Sequence, residues 1–329
     1  MYDLKKIVVV IGATGTQGGY VVQELLKHPE YHVRAVTRDP RKPSAKALAS
    51  SVELVQANLN DLPSLKMAFA GAHAIFAYTD FFDTPLTTNE VFKESETLEF
   101  NQGMNLALAA AATSSLEHYI WSSTPDATEQ SAGKHPNICF FNSKSRVTCA
   151  IRTKMPALWA KTTEIWIGFM YENFIKFATF SPQPTPSGVY ELAVPLAPDS
   201  VLGSVHCKDL GPFFDFILRS GTRYHAKTIG LVAEELPESR RLEIWGHAVD
   251  KPVRFNAITP AEYVARLEGF GVPTAAAEGF TDLYGLFKDL GNAYSGEDVL
   301  QARDLVPGGF FRSWKDYCHE EDWAAFLKA

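Results

Sequence analysis

Residues 6–11 read K-I-V-V-V-I, and glycines follow at once at positions 12, 15 and 18. A β-branched run without a polar break is how a strand buried on both faces of a parallel sheet reads. The spacing of Gly12, Gly15 and Gly18 serves three needs: a tight turn, close backbone approach to a pyrophosphate, and close packing of the next helix on the strand. Beyond them Val21, Val22, Leu25 and Leu26 fall at helical spacing over 16–27, with a stop expected near His28 and Pro29. Strand, glycine turn and helix together predict a dinucleotide-binding opening. Thr14, Thr16 and Gln17 fill the loop, and the unpaired N–H groups of the helix start favour phosphate there.

The same rhythm continues. Strands are expected at Tyr31–Thr37, 52–56, 74–78, 118–122 and 162–166, with helices over 43–49, 62–70 and 90–113 and a loop at 79–89 over the carboxyl end of the sheet. Strands alternating with helices over about 165 residues predict an α/β class, a doubly wound parallel sheet of the Rossmann type. Past Gly168 the period is lost, and prolines crowd residues 182–198. With 329 residues in all, the expected division is a dinucleotide-binding domain over 1–168, to which 199–232 returns. A smaller α+β lobe for substrate or partner takes 169–198 and 233–329. Within the returning segment the strand Val201–Val205, a helix over 208–219 and a strand over 227–232 are assigned to the main sheet.

A net charge of -7 argues against direct binding to nucleic acid, which needs a clustered positive face. No run approaches the roughly 18 to 20 apolar residues of a membrane span. Cys139, Cys149, Cys207 and Cys318 lie far apart, without the cysteine or histidine spacing of a metal site, and read as free thiols. The start of the chain lacks the apolar core of a signal peptide. The expected location is cytoplasmic, with access to the nucleus left open.

The end of the second strand selects between cofactors, because an acidic side chain there bonds a ribose 2′-OH whereas arginine accommodates a 2′-phosphate. Here it reads Thr37-Arg38, which predicts NADP, although Asp39 follows. Asn58 and Leu59, after strand three, are placed beside the adenine, and Thr79 joins the cofactor contacts after strand four. Ser122, Ser123 and Thr124 close strand five; Ser123 is a candidate to bond a substrate carbonyl, or else satisfies backbone. About 16 residues later comes Phe140-Phe141-Asn142-Ser143-Lys144. Short-chain dehydrogenases carry Tyr-x-x-x-Lys at this point, and a phenylalanine in the tyrosine position cannot transfer a proton.

Val8 to Gly19 (V-V-V-I-G-A-T-G-T-Q-G-G), Val33 to Pro40 (V-R-A-V-T-R-D-P), Ala57 to Asp61 (A-N-L-N-D) and Phe169 to Phe174 (F-M-Y-E-N-F) together resemble the NmrA-like family of atypical short-chain dehydrogenases. Lys208 to Gly211 and Phe255 to Tyr263 fit the same family, so the resemblance covers most of the chain. It implies that Lys144 lies near the nicotinamide and that Tyr171 and Asn173 face that end of the cleft, with Tyr171 a candidate replacement acid. Phe81, Phe82, Phe140, Phe141, Phe169, Met170 and Phe174 border the cleft or pack in the core; as walls they suit an apolar or aromatic substrate. The resemblance leaves two functions open. One is an oxidoreductase moving hydride between NADP(H) and a carbonyl, quinone or enone. The other is a non-catalytic NADP(H) redox sensor acting through a regulatory protein partner; a homodimer is left open for either.

Overall fold

The computed structural model describes residues 5–83 and 85–328. Its strands are β1 (Lys6–Val10), β2 (Tyr31–Thr37), β3 (Glu53–Gln56), β4 (Ala74–Ala77), β5 (His118–Ser123), β6 (Thr162–Ile167), β7 (Phe169–Met170), β8 (Gln183–Pro184), β9 (Tyr190–Val194), β10 (Val201–Val205), β11 (Lys227–Leu231), β12 (Glu234–Pro237), β13 (Val253–Ala257) and β14 (Val299–Gln301). The helices are α1 (Thr16–Leu25), α2 (Pro43–Leu48), α3 (Leu62–Phe69), α4 (Asn89–Ala111), α5 (Ala127–Gln130), α6 (Cys139–Lys154), α7 (Pro156–Trp159), α8 (Asn173–Lys176), α9 (Leu210–Arg219), α10 (Glu238–Ala248), α11 (Pro260–Gly269), α12 (Thr274–Leu290), α13 (Ala302–Leu305) and α14 (Trp314–Glu320).

Eight strands form one sheet in the order β14-β11-β6-β5-β4-β1-β2-β3. Every pairing in it is parallel. The period-two geometry of β1 explains why its residues are apolar on both sides. Val8 and Val10 point into the layer containing Val21, Leu25, Phe213 and Ile217, from α1 and α9. Val9 points into the opposite layer with Leu65, Leu106 and Val147, from α3, α4 and α6. Strand order reverses at β1, which has β2 on one side and β4 on the other. The carboxyl ends at such a switch point are where ligands of this fold class bind.

The returning segment differs from expectation in one strand. β10 (Val201–Val205) does not join the main sheet; it runs parallel to β7 and antiparallel to β12. The place beside β6 is taken by β11. At Gly168, where an added Cβ would lie 2.9 Å from the Leu231 carbonyl, the chain turns out of the sheet and carries β7, and with it β10, away. α9 does return, crossing α1 so closely that a Cβ on Gly211 would sit 2.3 Å from the Tyr20 carbonyl. β14, which pairs with β11, is an eighth strand without a sequence expectation. A third cluster, rich in aromatic rings, joins α10, α11, α12 and α14 to the small sheets and reaches back to Phe81.

Candidate active site

Gly12 adopts φ +60, the left-handed region that glycine occupies without steric cost. The Gly15 N–H closes the turn on the Gly12 carbonyl at 2.8 Å. Gly18 has a different duty: a Cβ there would lie 2.5 Å from the Gly12 carbonyl and 2.6 Å from that of Ile11, so its bare backbone is what lets α1 pack on β1. Gly15 caps α1 without a side-chain bond, and the first turn carries no acidic residue. These free N–H groups make an anion-binding helix end. Lys176, the last residue of α8, donates to the Thr16 hydroxyl at 2.6 Å and so brings a cation to the same place. Ser122 donates to Gln17 Oε1 at 2.9 Å, tying the end of β5 to the loop.

Thr79 follows β4, which lies between β5 and β1. It is 3% exposed, and among the described residues its hydroxyl has no hydrogen-bond partner. A buried hydroxyl left unpaired is costly unless a ligand or water completes it. Tyr78 lies over the turn, its hydroxyl 3.5 Å from the Gly12 carbonyl, and burial raises its phenol above the ordinary range. Arg38, at the end of β2, is exposed and makes a two-pronged pair with Asp83 of the short turn Phe81–Asp83, the Nη2–Oδ1 arm measuring 2.7 Å. Asp39 instead holds Arg41 at 3.0 Å. Asn58 is exposed and accepts from the Asn60 N–H at 3.0 Å. Leu59 is half-buried, its carbonyl held by Asn105 at 2.8 Å. A glycine cradle, an unpaired buried hydroxyl, a cation at the helix end and an arginine beyond β2 therefore fit the parts of a phosphorylated dinucleotide.

Lys144 does not stand alone. Its ammonium and the Ser143 hydroxyl both donate to the carboxylate of Glu99, one to each oxygen, and Glu99 is 2% exposed on α4. Phe140 lies one helical turn before Lys144, on the same face of α6. Its ring centroid is 5.5 Å from Phe82 and 5.6 Å from Phe280. Phe82 also stacks on Phe280 at 5.9 Å and meets Phe177 at 6.2 Å. Although solvent reaches Asp80, lost hydration raises its carboxyl above the usual range, against the pull of Lys144.

Other expected residues lie elsewhere. Tyr171 is fully buried, its hydroxyl 3.3 Å from the Arg312 carbonyl and 3.4 Å from Glu234, among Trp314 and Tyr317. Desolvation pushes its phenol up. The structure thus puts Tyr171 in the core and not beside Lys144. Ser123 is buried against Thr148, at 3.2 Å, while its neighbour Ser122 faces the glycine loop. Asn173, half-buried, opens the helix that ends in Lys176. Of the aromatic set, Phe81, Phe82 and Phe140 pack on one another at the margin of the aromatic core; Phe169 packs on Phe180 and Phe287, Phe141 on Tyr294, and Phe174 on Trp245 and Trp314. Met170 joins the α1–α9 layer. Among the described residues there is no cluster of three metal-binding side chains, and no helix is long and apolar enough to cross a membrane.

A reversed parallel sheet with a glycine turn at its switch point defines an α/β fold of the doubly wound, dinucleotide-binding class. Within that class the chain belongs to the NmrA-like family, whose model matches residues 4–318. It is 28% identical over 263 residues to the NmrA-like family domain-containing oxidoreductase cpsB of Aspergillus campestris, covering 76% of this chain and 75% of that one. Identity to the NmrA-like family domain-containing oxidoreductase hkm9 of Aspergillus hancockii is 35% over 130 residues, 39% of this chain and 37% of that protein. The nitrogen metabolite repression protein nmrA of Emericella nidulans is 26% identical over 269 residues, 80% of this chain and 71% of the other. Among solved structures, the negative transcriptional regulator NmrA in complex with NADP superposes with a TM-score of 0.75 at 24% identity, over 96% and 95% of the two chains. Citrobacter sp. triphenylmethane reductase complexed with NADP(H) gives 0.71 at 21%, over 96% and 99%. At these identities the structural likeness is one of fold.

Proposed function

We propose that this chain is an NADP(H)-dependent oxidoreductase that moves hydride between the dinucleotide and an apolar or aromatic carbonyl, quinone or enone. The observation that carries it is one face of α6, where Lys144, paired with the buried Glu99, follows by one turn a phenylalanine, Phe140, that packs on Phe81, Phe82 and Phe280. The proposed contacts for the dinucleotide are the Gly12–Gly18 loop with Thr14, Thr16 and Gln17, together with Arg38, Asn58, Leu59, Thr79, Lys144 and Asn173. The proposed dinucleotide domain is 1–168 with α9, β11 and the edge strand β14, and the proposed substrate lobe is 169–198 with the rest of 233–329. When bound, the nicotinamide supplies or accepts the hydride. Glu99 holds the Lys144 ammonium in place through a direct ion pair, and that ammonium stabilises negative charge developing on the substrate oxygen and hands it the balancing proton. Names of relatives support the chemistry: several are called oxidoreductases, and one solved neighbour is a quinone oxidoreductase complexed with NADPH.

A second reading, an NADP(H) sensor working through a protein partner, draws support from Phe140 in the tyrosine position and from the burial of Tyr171. The discriminating experiment is steady-state NADPH oxidation with a panel of quinones, enones and aromatic ketones, beside cofactor titration, on the parent and on Lys144→Met. The ammonium is expected to contribute about 2.7 to 4 kcal/mol to the barrier, so turnover should fall roughly a hundredfold or more while cofactor affinity changes much less. Equal turnover in both proteins would remove Lys144 from the chemistry. NADPH binding without turnover of any acceptor would favour the sensor.

A further inference from the structure

The pair between Arg38 and Asp83 joins the end of β2 to the turn after β4, and β1 lies between those two strands. The ion pair therefore arches over the glycine loop. Both carboxylate oxygens engage both terminal nitrogens of the guanidinium, the two-pronged geometry that arginine also offers a phosphate. The nearer acid, Asp39, is committed to Arg41.

We propose that Asp83 is a specificity-determining residue: its carboxylate stands on Arg38 where the 2′-phosphate of NADP(H) would go, and the phosphate must displace it. The proposal rests on the reading that this cleft takes NADP(H). A dinucleotide with a free 2′-OH leaves the pair intact, so Asp83 lowers affinity for the phosphorylated cofactor selectively. The pair is exposed on both sides. Exposed pairs of this kind give a bias of roughly fivefold or less, small enough for a phosphate to overcome.

The test is a calorimetric titration of the parent, Asp83→Asn, Arg38→Ala and the double variant with NADPH, NADH and adenosine 2′,5′-bisphosphate, which carries the phosphate without the nicotinamide. Asparagine keeps the size of aspartate and removes its charge. NADPH and the bisphosphate are expected to bind Asp83→Asn about three- to fivefold tighter, with NADH changed less than twofold. That gain should vanish in the Arg38→Ala background. An unchanged NADPH affinity, an equal gain for NADH, or a gain that survives without Arg38 would each overturn the proposal. A parent that binds none of the three ligands overturns the underlying cofactor reading, and the selector with it.

Discussion

His118 sits at the start of β5, 3% exposed, with Nε2 2.8 Å from the Thr163 hydroxyl and its ring edge-on to His225 at 4.5 Å. Burial, followed by the nearby His225 and His73, pushes its pKa down to about 3. The unfolded chain then holds a proton on this imidazole that the folded chain refuses. His118 thus contributes stability fully above about pH 6.5, and that stability is lost as pH falls toward 3, at up to about 1.4 kcal/mol per pH unit. Urea midpoints should drop between pH 7 and pH 5, and the drop should be shallower in His118→Asn; parallel pH profiles for the two proteins would contradict this. At the same scale, the legible site residues were those whose chemistry is local. Gly12 and Gly15 follow from turn geometry and Arg38 from its place after a strand. Asp83, Lys176 and Glu99 were not read, because each acquires its meaning from a partner 45 to 160 residues away. Glu99 left one trace, a carboxylate on the helical stripe of Phe92, Ser95, Gly103 and Leu106 that the structure buries.

Among elements, the β1–α1 junction is the least forgiving. A methyl on Gly18 meets backbone at 2.5 Å, whereas one on Gly19 finds the Ala13 carbonyl at an ordinary 3.6 Å. Gly18→Ala should therefore lift α1 from β1, cost on the order of 1 to 3 kcal/mol and abolish dinucleotide binding. Gly19→Ala should be neutral or stabilise by up to about 1 kcal/mol through helix propensity. Thermal melts with cofactor titration would separate them; equal behaviour would mean that the close approach at Gly18 is relieved elsewhere. The strands from β1 to β5 were legible because their apolar or β-branched stretches alternate with four segments of helical period, whereas α6, which leads to β6, was not marked by period. What β10 pairs with was not, since V-L-G-S-V suits either sheet and the choice is made by β11 occupying the place beside β6. Three residues of β14 carry too little pattern to announce a strand.

For the whole molecule, the aromatic core of the smaller lobe draws on distant stretches of chain, with Phe81 at one extreme and Trp314, Tyr317 and Trp323 at the other. The main sheet behaves otherwise: its six adjacent strands from β3 to β6 are complete by residue 167, β11 adds residues 227–231, and β14 arrives only at 299–301. During synthesis the growing chain therefore holds β11 as an open edge, with its unpaired N–H and C=O groups, while some seventy further residues emerge. Such an edge is a template for pairing with another chain. The short strand at the end of the sheet acts as a late seal, and until it pairs, β11 stays open to a neighbouring chain.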